Sequence, residues 1–461
     1  MIVVLALATP LAFANAGDLD PSFGHAGKAT RAANFGSQQR DSVSTDSARL
    51  PGGGTVVLAR QTLYSFGADG SIARGFGAVK IADPTGSELQ PSDIAVDSRG
   101  RVLVAGGSKA ASGTGESPEH VFVARYTPRG KLDPSFGDSG VVVTDFGLPG
   151  PRALEGQSAP ASRVRVDGIA VDPSDRVVLT GTRLKAIGPC RGSIGLSYHE
   201  AFVARLASNG RPDPSFGDAG VLSLRDFPEA TSGVQSLISP VVDTDGKVYL
   251  STLLGPCEEG RDTLAGRIDS SGRADQSFGD GGWVKVSGGI SFEAFSGRSF
   301  EPFSIALDPR GRLLLLAQHY VPPAESAGHQ VAKGHRIAVV KRVLPNGALD
   351  QTFGRHGMAT MSGPAGKFSL AGEAVDGSGR VSIAGTLGRS FFVGRFTPNG
   401  QIDRRFGRSG RVTTSFGAHS SVRAGSITID ARGRAVVAGT MASPHLPQGE
   451  GLALARYLGG R

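Results

Sequence analysis

Short apolar runs separated by turn residues recur along almost the whole chain. In one stretch, Ser92-Asp93-Ile94-Ala95-Val96-Asp97 reads as a strand, labelled A, followed by the turn Ser98-Arg99-Gly100 and by strand B, Arg101-Val102-Leu103-Val104-Ala105-Gly106. After a variable stretch come strand C, Val121-Phe122-Val123-Ala124-Arg125-Tyr126, the turn Pro128-Arg129-Gly130, and strand D, Val141-Val142-Val143-Thr144. The runs are short, β-branched and bounded by Gly or Pro, which suits strands and not helices. Strand B is apolar at successive positions, as in Val177-Val178-Leu179 and Leu313-Leu314-Leu315-Leu316. A strand with one wet face would alternate, so B is expected to lie between two neighbouring sheets.

A marker accompanies the pattern. Asp20-Pro21-Ser22-Phe23-Gly24 returns in whole or part at Phe76-Gly77, Phe136-Gly137, Phe216-Gly217, Phe278-Gly279, Phe353-Gly354 and Phe406-Gly407, at spacings of 53, 60, 80, 62, 75 and 53 residues. Repeats of this kind bury their apolar faces on one another, and four strands of this length make one propeller blade. Strand A copies near residues 43, 92, 167, 237, 303, 370 and 425 predict seven blades. The last unit ends soon after its strand C, Leu452-Ala453-Leu454-Ala455-Arg456-Tyr457, whereas a D-type segment precedes any strand A at Asp20. The expected fold is all-β: a seven-bladed β-propeller of four-stranded antiparallel blades, with the N-terminal segment as the outer strand of the last blade. Closure of that kind leaves no free strand edge.

The turns share one chemistry. Pro128-Arg129-Gly130 and Pro398-Asn399-Gly400 fit three-residue loops with Gly in the left-handed position. The A–B turns follow as Asp97 to Gly100-Arg101, Asp243 to Gly246-Lys247, Asp308 to Gly311-Arg312, Asp376 to Gly379-Arg380 and Asp430 to Gly433-Arg434; Asp175 takes the glycine position in the third unit. Asp and Arg then sit opposite one another as exposed pairs, each expected to contribute under about 1 kcal/mol. In the C–D hairpin the same register opposes Arg125 with Asp133, Arg205 with Asp213, Arg267 with Asp275, Arg342 with Asp350 and Arg395 with Asp403, and closure adds Arg456 with Asp20. The first unit has Ser65 and Ala73 at these places, so both partners are absent together.

The segment Leu132-Asp133-Pro134-Ser135-Phe136-Gly137, with Gly140-Val141, Ile169-Ala170-Val171-Asp172, Val177-Val178-Leu179-Thr180-Gly181 and Phe202-Val203-Ala204-Arg205-Leu206, resembles the bacterial delta-60 repeat. The resemblance covers nearly all of residues 17–461 and departs most at Pro51-Gly52-Gly53-Gly54 in the first unit. It implies a β-propeller and export, and it carries no catalytic residue. The A–B hairpins are also distantly similar to those of NHL-type propellers.

Residues Met1–Ala16 are uncharged and rich in Val, Leu and Ala, and they end in Ala14-Asn15-Ala16 before Gly17. This reads as a secretory signal without the usual basic start, leaving residues 17–461 as a single propeller domain in a secreted or periplasmic protein. The run is too short, and broken by Pro10, to span a bilayer. The net charge of +8 is dispersed, with no basic stripe, so nucleic acid is not an expected partner. The expected partner is an extracellular polymer, peptide or surface protein, met by a monomer that has no transmembrane segment in its mature chain.

Function on a repeat scaffold sits on its irregular connections. The A–B and C–D turns are short, so any site is expected on the opposite, B–C and D–A face, where residues 107–120, 183–199 and 318–336 form long B–C loops. Those loops offer Glu116, Glu119, His120, His199, Glu200, His319, Tyr320 and His335 as binding candidates, with His329 beside them. Histidines and carboxylates on one face can bind a metal, but the favoured reading is solvated loop residues, and neither metal nor cofactor is assigned. His199-Glu200 lacks the second His of a zinc-protease helix, and no nucleophile elbow or phosphate loop appears. Asp243-Thr244-Asp245-Gly246 resembles the start of a calcium loop without its later ligands, and Trp283, equivalent to Val141, reads as packing. No catalytic constellation converges. The leading reading is therefore an exported, non-catalytic binding or scaffolding module; the alternative is a lactonase-like or lyase-like propeller enzyme with a metal at the channel mouth.

Cys190 and Cys257 follow strand B in adjacent units, in matching Gly-Pro-Cys contexts. In an exported chain this points to a disulfide between them, closing a loop of about 67 residues and stabilising by roughly 3–5 kcal/mol. Thiol titration of the unfolded, unreduced protein is expected to find no free thiol; two would remove the bridge.

Overall fold

The computed structural model describes residues 15–460 apart from 36–44, 82–85, 87, 110–119, 149–163, 191–192, 225–233, 255–261, 287–301, 322–324, 327–328, 331–333 and 364–367. Seven antiparallel sheets form a seven-bladed propeller, and the described residues contain no α-helix. Blade 2 runs Glu88–Val96 (A), Val102–Lys109 (B), His120–Tyr126 (C) and Val141–Thr144 (D). The same order starts from strand A at Thr45–Arg49, Val164–Val171, Val234–Leu237, Pro302–Leu307, Phe368–Val375 and Ser421–Ile429. Blade 4 adds a short piece, Val241–Val242, beside its strand B. Strand A of one blade touches strand A of the next, so A is innermost and D outermost. Blade 7 takes its strand D from the other end of the chain: Lys28–Ala32 pairs antiparallel with Glu450–Tyr457, setting Lys28 opposite Ala455 and Ala32 opposite Gly451.

Apolar side chains of B and C fill the seams between blades. Leu103 and Ala105 of blade 2 pack with Val177, Leu179 and Phe202 of blade 3, and Val57 and Tyr64 of blade 1 pack with Val436 and Leu454 of blade 7. This explains why strand B carries no polar alternation: both of its faces meet a neighbouring sheet. Trp283 is buried in the same way, its ring occupying the space that a side chain at Gly266 would need.

A buried arginine fastens each outer edge. Arg125 Nε donates to Asp133 Oδ2 at 2.9 Å, Nη2 donates to Ser135 Oγ at 3.0 Å, and Nη1 crosses the seam to the Ser208 carbonyl of blade 3. Its guanidinium lies 4.4 Å from the centre of the Phe136 ring. Gly137 N–H also crosses, to the Asn209 carbonyl at 2.8 Å. Its φ of 55° and the Val141 carbonyl, 2.4 Å from where a Cβ would stand, require glycine there. Five more copies follow, from Arg205 to the Ser270 carbonyl, Arg267 to Pro345, Arg342 to Pro398, Arg395 to Gly459 and Arg456 to Ala68. Their Nε–Oδ2 distances to Asp213, Asp275, Asp350, Asp403 and Asp20 are 2.8–2.9 Å. Blade 1, with Ser65 and Ala73, has no such clamp.

The last clamp shows how the ring closes. Blade 7 has no continuous C–D turn; Gly459 supplies one carbonyl to Arg395, and Ala16 supplies the other to Gly407 at 2.7 Å. The ring thus engages Ala16, one residue before the boundary expected from the cleavage pattern. Residues 1–14 of the expected signal lie outside the described residues.

The A–B pairs differ from expectation. Asp97 and Arg101, read as an exposed pair, are largely buried and 2.5 Å apart, and Arg101 reaches on to Asp133 at 3.5 Å. The next blade's turn covers them: Asp175 accepts from Ser98 N–H and Oγ at 2.9 and 2.8 Å. Turn pairs and clamps are therefore one network.

Burial alone would raise the Asp133 pKa, but the Ser135 hydroxyl and N–H, then the Arg125 charge, outweigh it and hold it below the ordinary value. Replacing Arg125 leaves that carboxylate buried with its main partner gone, a loss of about 3–5 kcal/mol for such pairs. Arg125→Ala is expected to lower the urea midpoint accordingly, whereas Ser65→Ala should change stability by less than about 1 kcal/mol. Equal losses from the two would show that the clamp does not hold the seam.

Candidate functional site

With A innermost and the strands antiparallel, the A–B and C–D turns share one face and the B–C and D–A connections share the other. On that second face the blades end at different heights. Blade 1 turns at Arg60-Gln61, directly between Thr55–Ala59 and Thr62–Phe66. In blade 3, strands B and C continue as Val177–Cys190 and Ser193–Leu206, with register shifts at Leu184/Ala186 and Gly188/Cys190. Blade 5 extends to Val321 and His335, and a small hairpin pairs Glu325–Ser326 with His329–Gln330.

Much of what reads as loop in the sequence is thus strand. The span 183–199 is the upper part of a long hairpin, and His120, His199, Glu200, His319, Tyr320 and His335 all lie in ladders. The irregular spacing there reflects extra ladder pairs with bulges, which length alone does not separate from loop. Glu116, Glu119 and Cys257 fall outside the described residues, so the expected disulfide does too; Cys190 is placed only by its backbone, opposite Ser193 at the hairpin tip.

The candidates do not converge. Glu200 is buried and engaged inside blade 3 by Arg183 Nη2 at 2.5 Å and by the Ser223 hydroxyl. His319 is buried opposite Ile337, and His335 pairs with Val321 on the same face of the blade 5 hairpin. Tyr320 points the other way, pairs with Arg336 and is 52% exposed. Two blades separate His319, Tyr320 and His335 from His120. Among the described residues, no three His, Cys, Asp or Glu side chains are grouped to hold a metal ion.

The inner strands hold acidic residues that the sequence reading passed over. Bulges at Pro91/Asp93, Val166/Gly168 and Val234/Leu237 displace backbone N–H groups from the ladder. The preceding blade supplies carboxylates to them: Asp46 Oδ2 accepts from Ile94 N–H at 3.4 Å, Asp93 Oδ2 from Ile169 at 2.9 Å, and Asp167 Oδ2 from Leu237 at 3.3 Å. Gln318 and Thr386 do the same for Leu370 and Ala424, at 2.7 and 2.9 Å. Burial, reinforced by the neighbouring Asp93 carboxylate, pushes Asp46 well above the usual range. Burial alone does the same to Glu373, which stands where four other blades have isoleucine (Ile94, Ile169, Ile305 and Ile427) and whose carboxyl oxygens meet no hydrogen-bond partner. A signal existed for Glu373 in that broken apolar column.

A family described as a beta-propeller domain of unknown function (DUF5122) matches residues 100–136, the span from the A–B turn of blade 2 through its strands B and C to Phe136. One repeat of this chain is therefore similar to that family, as the delta-60 resemblance implies. No curated protein matches the sequence. Among solved structures, the polysaccharide lyase Uly1 superposes with a TM-score of 0.49 at 11% identity, over 95% of this chain and 93% of that one. Drosophila Semaphorin 2a gives 0.46 at 9% identity, over 92% and 75%. The α-L-arabinofuranosidase Arb93A from Fusarium graminearum gives 0.37 at 9%, over 79% and 92%. Likenesses at this level carry no activity across. The chain is a β-propeller of unknown function.

The inner acids set a pH dependence. Burial raises Asp167 to about 6, against Arg165 and the Leu237 N–H, which lower it. A folded pKa above the unfolded one gives stability that is complete below the unfolded value, near 4, and lost as pH rises through about 6. Asp20, Asp133, Asp213, Asp275 and Asp350 of the clamps are held below the ordinary value, so they have the opposite sign and weaken the fold only as pH drops below about 4. The unfolding midpoint should therefore rise as pH falls from 7 to about 4.5. Asp167→Asn should flatten that limb by an amount on the order of 2–3 kcal/mol; an unchanged slope would contradict the assignment.

Proposed function

We propose that this protein is exported and acts as a non-catalytic binding or scaffolding ring that meets an extracellular polymer, peptide or surface protein with its B–C/D–A face. The observation that carries this reading is the uneven rim. The blade 3 hairpin and the extended blade 5 strands, with Tyr320 presented at 52% exposure, stand beyond a scaffold whose repeated charges are engaged in its own seams. An aromatic ring on a rigid strand end binds at low entropic cost, and long hairpins add contact area without disturbing the core. The residues forming the rim are also the ones that depart from the repeat, as a recognition surface on a repeat scaffold requires.

The test is a glycan, polymer and peptide binding screen with the wild-type ring and two variants. One replaces residues 185–198 by a short turn; the other is Tyr320→Ala. Both should keep the β-rich circular dichroism spectrum and lose capture of the ligand that the wild type retains. Undiminished capture by both variants would end the proposal. So would a stoichiometric divalent ion in the purified protein together with turnover of a lactone or acidic polysaccharide, which would favour the enzyme reading.

A further inference from the structure

On the opposite, turn-bearing face, the seam between blades 7 and 1 contains a cavity of about 440 Å³. Its walls come from the A–B turns of both blades, the blade 1 C–D turn at Ala68-Asp69, Ser22 and the end of strand C at Arg456. The opening follows from the sequence of blade 1. In blade 1, Leu50 and Gly54 stand where the other six blades have the turn's Asp and its Arg or Lys, and Pro51-Gly52-Gly53 between them carries no polar side chain to fill the seam.

Four arginines line this space: Arg49, Arg432, Arg434 and Arg456, against Asp69 and Asp430. Two of the four are engaged. Arg456 is held by Asp20, Ser22 and the Ala68 carbonyl, and Arg434 by Asp430 at 2.7 Å and Asp20 at 2.9 Å. Asp69 is occupied by the Ser71 N–H and hydroxyl, at 3.0 and 2.7 Å. Arg432 is exposed at the rim.

Arg49 is the anomaly. It ends strand A of blade 1 at the position that holds Val96, Val171, Val242, Leu307, Val375 and Ile429 in the other six blades. Its Nε is buried without a hydrogen-bond partner, and the described residues give it no ion pair. A charged group in place of an aliphatic one, half-buried, with its Nε shut from water and no carboxylate partner among the described residues, is costly unless something outside the chain completes it.

We propose that this cavity is an anion-binding site, taking a small organic acid or the oxyanion group of a larger ligand. Arg49 makes the principal contact and Arg432 closes over it. A guanidinium fork suits carboxylate, sulfate or phosphate oxygens, and the volume admits more than the anionic group itself. The site lies on the face away from the rim and does not depend on what the rim binds.

Isothermal titration of the whole protein at low ionic strength, with citrate, glucuronate, sulfate and phosphate, tests it. At least one probe should bind with a dissociation constant below about 10 mM. Arg49→Val restores the residue type of the other blades, so it should fold normally by circular dichroism and weaken binding at least about tenfold. Arg49→Lys should keep part of the affinity, and Arg404→Ser, an exposed charge elsewhere, should leave it unchanged. The proposal is overturned if no probe binds, if Arg49→Val binds like the wild type, or if Arg404→Ser costs as much as Arg49→Val.

Discussion

The ring is held by a guanidinium that belongs to two blades at once. An arginine at the end of strand C has three edges to satisfy, and burial makes each obligatory. The Asp-Pro-Ser-Phe-Gly phrase satisfies two of them and supplies the aromatic face, while the third edge reaches the next blade's turn. Because the acceptor across the seam is a backbone carbonyl, it demands a turn of fixed geometry but no particular residue: Ser208, Ser270, Pro345, Pro398, Gly459 and Ala68 all serve. Spacing between repeats can therefore vary widely while the seams stay alike.

This division explains what the sequence makes legible. Blade number, strand order and closure follow from apolar runs and the phrase, because the same packing problem is solved in every unit. The opposition of Arg125 to Asp133 follows from hairpin register alone. The inter-blade role of the same arginine does not, since its partner carries no side-chain signature. Burial of Asp97 and Arg101 is hidden for a related reason, as the cover comes from Asp175 of the next blade's turn, which bonds Ser98 beside them.

Sites were harder to read, and the difficulty is physical. Repetition announces structure, so single departures from it are where chemistry can be placed, yet departures in loops and departures in strands look different. His120, Glu200 and His319 drew notice as polar residues in variable stretches, but extended ladders absorb those stretches, and Glu200 is engaged by Arg183 and Ser223. Arg49 and Glu373 are better signals. Arg49 stands in an otherwise aliphatic column of strand A and Glu373 in one that is isoleucine in four other blades, and each is recognised only when the units are aligned position by position.

The missing clamp of blade 1 leaves one seam of the ring without a crossing arginine. Between blades 1 and 2, among the described residues, apolar contact holds the outer edge, with Phe76 and Val79 lying against Gly130. The inner edge of that same joint is tied by Asp46 to Ile94. Strain on the ring is therefore borne there by apolar packing outside and hydrogen bonds inside, one blade away from where the two ends of the chain meet.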